Sequence, residues 1–335
     1  MNETHHTQTR SGLLYGLAAY GLWGLMPLYF RLVGQVSPAE VLAHRIVWSV
    51  LLLAVILTVW RRWPDLMAIL RSGRMVRLLL VSALLVATNW LVYIYGVWAE
   101  RVLETSLGYF INPLFSVVLG MVFFRERLRP WQWVAFALTC IGLGYLILSV
   151  GKLPWIALAL ALSFGLYGLV RKTTPVDGLI GLAVETLLLA PAALAGLAIG
   201  VTQSTASFGK NEALTDALLL LSGVVTTIPL LCFGQAARRL RLSTLGFLQF
   251  LGPTMQVLIA VLVFHEEFRP ELRVTFAFIW TALIVFTVDA WRHHARRERT
   301  SVSDELAVCE SIPSAARLQR LDGFQRIDQH HDVQK

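Results

Sequence analysis

Long apolar stretches separated by short polar segments dominate the pattern of hydrophobic and polar positions along this chain. Each stretch has about 20 residues, the length that a helix needs to cross a hydrocarbon core of roughly 30 Å. The pattern therefore predicts an all-α membrane protein with ten transmembrane helices and short loops. The predicted spans are 12–32, 39–60, 75–98, 104–124, 131–150, 153–171, 178–200, 214–236, 243–264 and 273–291.

A sequence pattern in the fourth predicted span occurs again in the ninth. Three pairs of residues are each separated by 140 positions: Pro113 and Pro253, Glu126 and Glu266, and Pro130 and Pro270. A shared spacing of this kind indicates two copies of one structural unit. Because each copy holds five spans, an odd number, the second copy enters the membrane from the opposite side. We expect two inverted five-helix repeats, 12–150 and 151–292, around a central cavity.

The two ends of the chain differ from this apolar middle. Residues 1–11 are polar and lead into a span that is too long for the apolar region of a signal peptide, so we expect the first helix to remain. Residues 293–335 lack the apolar content that folding requires. The sequence predicts a short cytoplasmic N-terminus and a disordered cytoplasmic tail.

Composition and charge support a membrane protein over a soluble one. Apolar residues make up 56% of the chain and charged residues 15%, and the mean hydropathy is +0.63, whereas about 25% of residues are charged in soluble domains. The net charge of +8 does not indicate nucleic acid, because the basic residues lie in short loops. The loops on one side hold 18 of them and those on the other side 6. This bias predicts that both termini are cytoplasmic.

Two prolines suggest where a binding site lies. Pro113 and Pro253 fall near the middle of the fourth and ninth predicted spans, where a proline leaves the carbonyl four residues earlier without its helical partner. Interrupted helices at matching positions of two repeats indicate a transport site, although prolines can also serve only to bend helices for packing. The candidate substrate-binding residues are Trp23, Asn89, Trp90, Tyr93, Tyr109, Asn112, Pro113, Tyr167, Thr227, Gln249, Pro253 and Gln256.

Charged residues inside the spans form a second group of candidates. Arg45 and Glu185 lie 140 residues apart, and each costs on the order of 2.5 to 3.5 kcal/mol to insert. They are expected either to meet or to close separate networks, and their role is either a structural ion pair or gating and proton coupling. Glu126 and Glu266, at opposite faces of the membrane in the inverted arrangement, are further gating candidates.

Several motifs together carry a resemblance to one family. They are Asn89-Trp90 with Tyr93, the run Ser106 to Leu114, the run Glu185 to Leu189, and the run Thr226 to Leu230. Over about residues 11–292, the sequence resembles the RarD branch of the EamA transporters, in the drug/metabolite transporter superfamily. The resemblance implies a ten-helix permease of the bacterial inner membrane, with two inverted repeats, that exports small metabolites or drugs.

The hypothesis that follows is a secondary transporter that works by alternating access, with protons as a candidate coupling ion and Glu185 as their first candidate carrier. A channel, a non-transporting scaffold and an enzyme acting on lipid-linked substrates are the alternatives. His265-Glu266-Glu267 is the nearest approach to a catalytic cluster, and it lacks the second histidine of a metal motif. The expected partners are a small-molecule substrate and the lipid bilayer, with no nucleic acid, metal or cofactor, and the chain acts as a monomer or a homodimer.

Overall fold

The computed structural model describes residues 2–125, 129–210, 213–240 and 248–311, and within these ranges the chain forms helices and no strands. The helices of the described residues are α1 Asn2–Leu32, α2 Pro38–Val59, α3 Trp63–Leu70, α4 Gly73–Trp98, α5 Val102–Phe124, α6 Pro130–Val150, α7 Trp155–Thr173, α8 Gly178–Thr202, α9 Ala213–Arg239, α10 Leu251–Leu262 and α11 Pro270–Ser311.

A helix lies at each of the ten predicted spans, and the short α3 follows the second of them. Seven helices of the described chain are long and apolar enough to cross a bilayer, namely α1, α2, α4, α6, α8, α9 and α11. The apolar helices at 155–171 and 251–262 are shorter, and α5 is 23 residues long. The structure therefore confirms an all-helical chain with several membrane spans, while the full count of ten crossings stays a prediction.

Local sequence signals set several helix ends. Pro38 opens α2, where its missing N–H needs no partner, and the Ser37 hydroxyl accepts a hydrogen bond from Glu40 N at 3.3 Å. Pro130 opens α6 in the same way. That helix ends at Gly151, whose φ of 68° lies in the left-handed region that glycine adopts without strain. These signals explain why α2 and α6 agree with the predicted spans to within one residue.

The contacts that join helices of one predicted repeat to helices of the other are preserved when equivalent helices are exchanged. This exchange replaces α1 by α7, α2 by α8, α4 by α9 and α5 by α10. Under this exchange, the α1–α9 contact corresponds to α4–α7, the α1–α10 contact to α5–α7, and the α2–α9 contact to α4–α8. All six of these contacts are present in the structure. The α2–α8 and α5–α10 contacts map onto themselves. Two related units that associate about a two-fold axis give packing of this kind.

Contacts at the helix ends show how α1 and α7, which are equivalent in the two predicted repeats, are placed relative to each other. A Cβ at Gly12, in the first half of α1, would lie 2.8 Å from Arg239 Cβ at the end of α9. Arg31, at the end of α1, bonds Glu100 just after α4 at 2.6 Å. A Cβ at Gly96, near the end of α4, would lie 3.5 Å from Ile156 at the start of α7. Thus α1 ends where α7 begins.

We call this end of the molecule the Glu266 end. It holds the last residues of α1, α4 and α10 and the first residues of α5 and α7, because Glu266, after α10, accepts a hydrogen bond from Val102 N at 2.7 Å. We call the opposite end the Arg62 end. It holds the last residues of α2 and the first residues of α8, because Arg62 Nη2, after α2, lies 3.8 Å from Asp177 Oδ2, before α8.

The last helix differs from the sequence-based expectation. It continues to Ser311, so residues 293–311, for which the sequence predicts disorder, are helical. No glycine or proline interrupts the chain between Pro270 and Ser311, and the arginine, glutamate and alanine residues after the apolar part favour helix. Contacts divide the chain into one compact unit, Met1–Val285, and a second unit that begins at Phe286.

Candidate functional site

A buried arginine marks the region where α1, α2, α4 and α9 converge. Arg45, on α2, is 6% exposed. Its Nε donates a hydrogen bond to Thr226 Oγ1 on α9 at 2.6 Å. Its Cζ lies 4.3 Å from the centroid of the Trp90 ring on α4 and 5.6 Å from that of Phe30 on α1. Aromatic faces attract cations, so these rings stabilise a charge that the membrane interior otherwise disfavours.

Two tyrosines extend this group toward α5. The Tyr93 ring lies 5.8 Å from Phe30 and 5.7 Å from Tyr109, centroid to centroid. We call this group the Arg45 cluster, and it consists of Phe30, Arg45, Trp90, Tyr93, Tyr109 and Thr226. The structure thus brings together three of the predicted substrate-binding residues, Trp90, Tyr93 and Tyr109, around an arginine that the sequence suggested for a structural ion pair or for gating or coupling.

Asn89 lies beside this cluster, and neighbouring helices occupy its hydrogen-bonding groups. Its amide nitrogen donates to Leu160 O at 3.1 Å and to Ser163 Oγ at 3.0 Å, both on α7. Its amide oxygen accepts a hydrogen bond from the Tyr109 hydroxyl at 3.2 Å. The sequence left open whether Asn89 binds a neighbouring helix or a solute, and in this structure it joins α4 to α5 and α7.

Four of the predicted substrate-binding residues each bury a polar atom that has no hydrogen-bond partner among the described residues. These atoms are Tyr93 OH, Asn112 Oδ1, Thr227 Oγ1 and Gln256 Oε1. An unpaired buried polar atom costs about 1 to 3 kcal/mol, so each of them can bind a solute or water at no loss of an existing bond. The Gln256 amide nitrogen is engaged, because it donates to Trp23 O at 3.2 Å. The Trp23 ring packs 5.4 Å from Tyr20.

The two prolines are placed differently from each other. The α5 helix continues through Pro113 from Val102 to Phe124. Pro253, in contrast, is the third residue of α10, where no helical N–H bond is lost, and Gln249 lies in the turn before that helix. The α5 helix is thus continuous at Pro113, whereas a turn at 249–250 precedes Pro253, and the expectation that both prolines interrupt helices at matching mid-span positions stays a prediction.

Glu185, on α8, lies in a separate buried cluster. It is 1% exposed, and its Oε1 accepts a hydrogen bond from Ser82 Oγ on α4 at 2.6 Å. Arg171 Nη1 on α7 lies 3.7 Å from the same oxygen. Glu185 therefore pairs with Arg171, and the described contacts include no pair between Glu185 and Arg45. Of the two arrangements that the sequence suggested, the structure has separate networks.

A row of aromatic rings runs between the two buried charges. Ring centroids are 5.7 Å apart for Tyr93 and Tyr109, 6.2 Å for Tyr109 and Phe164, and 5.9 Å for Phe164 and Tyr167. Tyr167 is close enough to Glu185 for the two groups to interact electrostatically. This row consists of packed side chains throughout and places Tyr167, another predicted site residue, next to Glu185.

Glu266 binds the N-terminus of α5 through two backbone hydrogen bonds. Its two carboxylate oxygens accept hydrogen bonds from Val102 N at 2.7 Å and Leu103 N at 2.9 Å. Helix N-termini favour negative charge, so this contact joins the loop after α10 to the first turn of α5. Burial nevertheless raises the pKa of Glu266 above its ordinary value, and Glu100 raises it further. Glu126, the equivalent residue in the first repeat, lies outside the described residues.

Two cavities lie at the Glu266 end. The larger has a volume of about 660 Å³, and Glu266 is among its charged lining residues. The smaller, of about 260 Å³, reaches Phe30. Both are lined in part by Arg31 and Val97. No predicted substrate-binding residue lines either of these two cavities, so the central cavity that the sequence predicts is not found at these positions.

Sequence reasoning missed several residues that complete these clusters. Phe30 and Thr226 hold Arg45, while Ser82 and Arg171 hold Glu185. A single phenylalanine, serine or threonine within an apolar span carries no signal of such a role, because these residues are common in packed membrane helices. Arg171 lies at the end of a predicted span, where a basic residue is the normal topology signal.

The known proteins that this sequence resembles include several that are named as transporters or as RarD proteins. The model of the EamA-like transporter family matches residues 10–148. An uncharacterized transporter of Vibrio cholerae is 48% identical over 292 residues, which cover 87% of this chain and 97% of that protein. Protein RarD of Escherichia coli is 46% identical over 283 residues, with coverage of 84% and 96%. The chloramphenicol-sensitive protein RarD of Pseudomonas aeruginosa is 31% identical over 295 residues, with coverage of 87% and 98%.

A solved structure supports the fold. One crystal structure superimposes with a TM-score of 0.56 at 19% sequence identity, covering 83% of this chain and 98% of that chain. In addition, the described residues contain no group of three or more histidine, cysteine, aspartate or glutamate side chains that could hold a metal ion.

Proposed function

Because the chain belongs to the EamA-like transporter family, with RarD proteins among its relatives, we propose that it is a secondary transporter that exports small metabolites or drug-like molecules by alternating access. The family and the apolar helices make it a multi-pass membrane protein and point to transport, not catalysis. The export direction, the inverted ten-helix architecture and the cytoplasmic position of both termini are parts of this proposal.

The observation that carries the proposal is the paired packing of the helices. Every major contact of α1 and α2 with α9 and α10 has a counterpart under exchange of the two repeats, and α1 ends where α7 begins. An inverted repeat can present the same surfaces to either side of the membrane when one unit rocks against the other. The cavities at the Glu266 end fit a conformation that is open toward that side.

The unpartnered polar atoms support a solute site near the middle of the helices. Tyr93, Asn112, Thr227 and Gln256 all lie within predicted spans, at depths where water is scarce. We propose that these groups and the Arg45 cluster form the binding site, which is closed in the present conformation. A site that lacks an open cavity in one conformation is expected of alternating access, since occlusion separates the two open forms.

Proton coupling through Glu185 is the remaining part of the proposal. Glu185 is buried, pairs with Arg171 over 3.7 Å and keeps one carboxylate oxygen without a hydrogen bond. Proton uptake by such a group would change its attraction to Arg171 and could bias the two conformations. The change Glu185→Gln should abolish pH-gradient-driven uptake into inverted vesicles, whereas downhill exchange of the solute should persist. Unchanged gradient-driven uptake would exclude this role.

Topology and transport can be tested separately. A reporter fused after Lys152 should lie outside the cytoplasm and one fused after Lys172 inside, and identical positions would contradict inversion. For transport, the full-length protein is reconstituted into liposomes, and uptake is measured for compounds that change the growth of cells with and without the protein. Net uptake that requires the protein supports a transporter, whereas chemical conversion of the compound without net movement would indicate an enzyme.

A further inference from the structure

The Arg45 guanidinium carries a charge that no carboxylate of the described residues neutralises. Its Nε bonds Thr226 Oγ1, and this is its one hydrogen bond to the described chain. The ionisable side chains that interact electrostatically with it are those of Tyr109, Tyr29 and Tyr93. A buried charge is costly unless an opposite charge and further hydrogen bonds compensate it. Arg45 therefore lacks the partner that Glu185 finds in Arg171.

The surroundings of Arg45 leave the rest of the guanidinium available. Its Cζ lies over the Trp90 ring, 4.3 Å from the ring centroid. A cation–π contact of this kind holds the guanidinium without using its N–H donors. The Tyr93 hydroxyl, buried with its residue 4% exposed, has no hydrogen-bond partner among the described residues. A guanidinium fork and a free hydroxyl in one cluster are the groups that bind a carboxylate.

We propose that Arg45 binds the carboxylate of the transported solute, and that the solute is a small monocarboxylate with an apolar or aromatic body. The inference rests on the proposed transport function and assigns its substrate class. The carboxylate would complete the charge balance at Arg45 and accept a hydrogen bond from Tyr93. Phe30, Trp90 and Tyr109 would pack against the apolar body, because aromatic side chains bury large areas and stack on planar groups.

The position of Phe30 suggests how such a solute would leave. Its side chain is 3% exposed and lies against Arg45 on one side, while it lines the smaller cavity on the other. Arg31, the next residue, lines both that cavity and the larger one at the Glu266 end. Rotation of Phe30 would open Arg45 to these cavities, where a second guanidinium attracts the same carboxylate.

Binding tests the inference directly. The full-length protein in detergent is titrated with phenylacetate, indole-3-acetate and octanoate, each compared with its neutral amide, and thermal unfolding reports affinity. We expect a carboxylate to raise the unfolding temperature more than its amide does. Arg45→Gln should weaken carboxylate binding by about tenfold or more. Arg77→Gln, which removes a charge near the exposed start of α4, is the matched control and should bind like the wild type.

Two further variants keep the test decisive if Arg45→Gln does not fold. Arg45→Lys keeps the charge but loses the planar fork, and Tyr93→Phe removes only the hydroxyl. Each should retain the helix content of the wild type and lose carboxylate affinity by a severalfold factor while amide binding stays unchanged. Equal binding of acid and amide by the wild type, or full carboxylate affinity in these variants, would overturn the inference.

Uptake into proteoliposomes separates this inference from the proposed function. Arg45-dependent binding of a carboxylate without uptake of any panel compound would keep the anion site and reject transport. Uptake of the neutral amides that persists in Arg45→Lys, with no preference for the acids, would keep transport and reject the carboxylate site. Arg45-dependent uptake of an acid supports both.

Discussion

Arg45 and Glu185 occupy equivalent positions, 140 residues apart, in the two predicted repeats, yet their surroundings differ. Arg45 lies against Trp90 and Phe30 and bonds one hydroxyl. Glu185 has both a hydroxyl donor and a cation within 4 Å. Among the described residues, Glu185 therefore has an oppositely charged partner and Arg45 has none. The comparison teaches that a repeated position fixes the depth of a residue in the helix bundle, while its neighbours decide what it can bind.

We expect the greatest loss of stability when the aromatic ring beside Arg45 is removed. Trp90→Ala removes a large buried ring together with its cation–π contact, so we expect a loss of about 3 to 5 kcal/mol in the free energy of unfolding. Trp90→Phe keeps a ring and should lose less than half of that. Denaturant titration in detergent micelles measures both. Equal losses would contradict this prediction, because they would show that a smaller aromatic ring restores neither the packing nor the cation–π contact.

The second prediction concerns the ion pair at Glu185. Arg171→Met leaves a carboxylate that is 1% exposed without its cation, and we expect a destabilisation of about 3 kcal/mol. The double variant Arg171→Met with Glu185→Gln should recover most of this loss, because neither charge then remains buried. A double-mutant cycle on unfolding free energies gives the coupling. Additive losses would show that the 3.7 Å pair contributes nothing.

The third prediction compares the two hydroxyls directly. Thr226→Val removes the single hydrogen bond from Arg45 to the described chain, and such bonds to charged groups contribute about 1.5 to 3 kcal/mol. Ser82→Ala should cost about 1 kcal/mol less, because Glu185 keeps Arg171. Unfolding free energies of the two variants in the same detergent decide this order. The reverse order would contradict the asymmetry between the clusters.

We expect the smallest change in stability at Glu266, a carboxylate outside the predicted spans. Burial raises its pKa in the folded state, so protonation is easier there than in the unfolded chain. Its contribution to stability is therefore fully present below the ordinary pKa of glutamate and is lost as the pH rises through the raised value. Glu266→Gln should flatten this part of the curve of unfolding temperature against pH. Glu267→Gln, at an exposed neighbour, should leave the curve unchanged.

Several features of the site could be predicted from the sequence. Asn89, Trp90, Tyr93 and Tyr109 could be selected because polar and aromatic groups at membrane depth need partners, and the structure places them together. The roles of Phe30, Thr226 and Arg171 could not, because each depends on which helix face meets which neighbour. The two prolines show the same limit, since Pro113 lies within a continuous helix and Pro253 in the first turn of one.

The sequence alone predicted the positions of the helices, the family and the internal repeat. Helix length, apolar content and a fixed spacing of 140 residues can all be read from the chain without knowledge of any contact between helices. Only the tertiary structure decided that Arg45 faces aromatic rings while Glu185 faces Arg171. The physical reason is that one apolar helix can present any face to its neighbours at a similar cost in lipid, so the partners of a buried charge are fixed only when all the helices have packed.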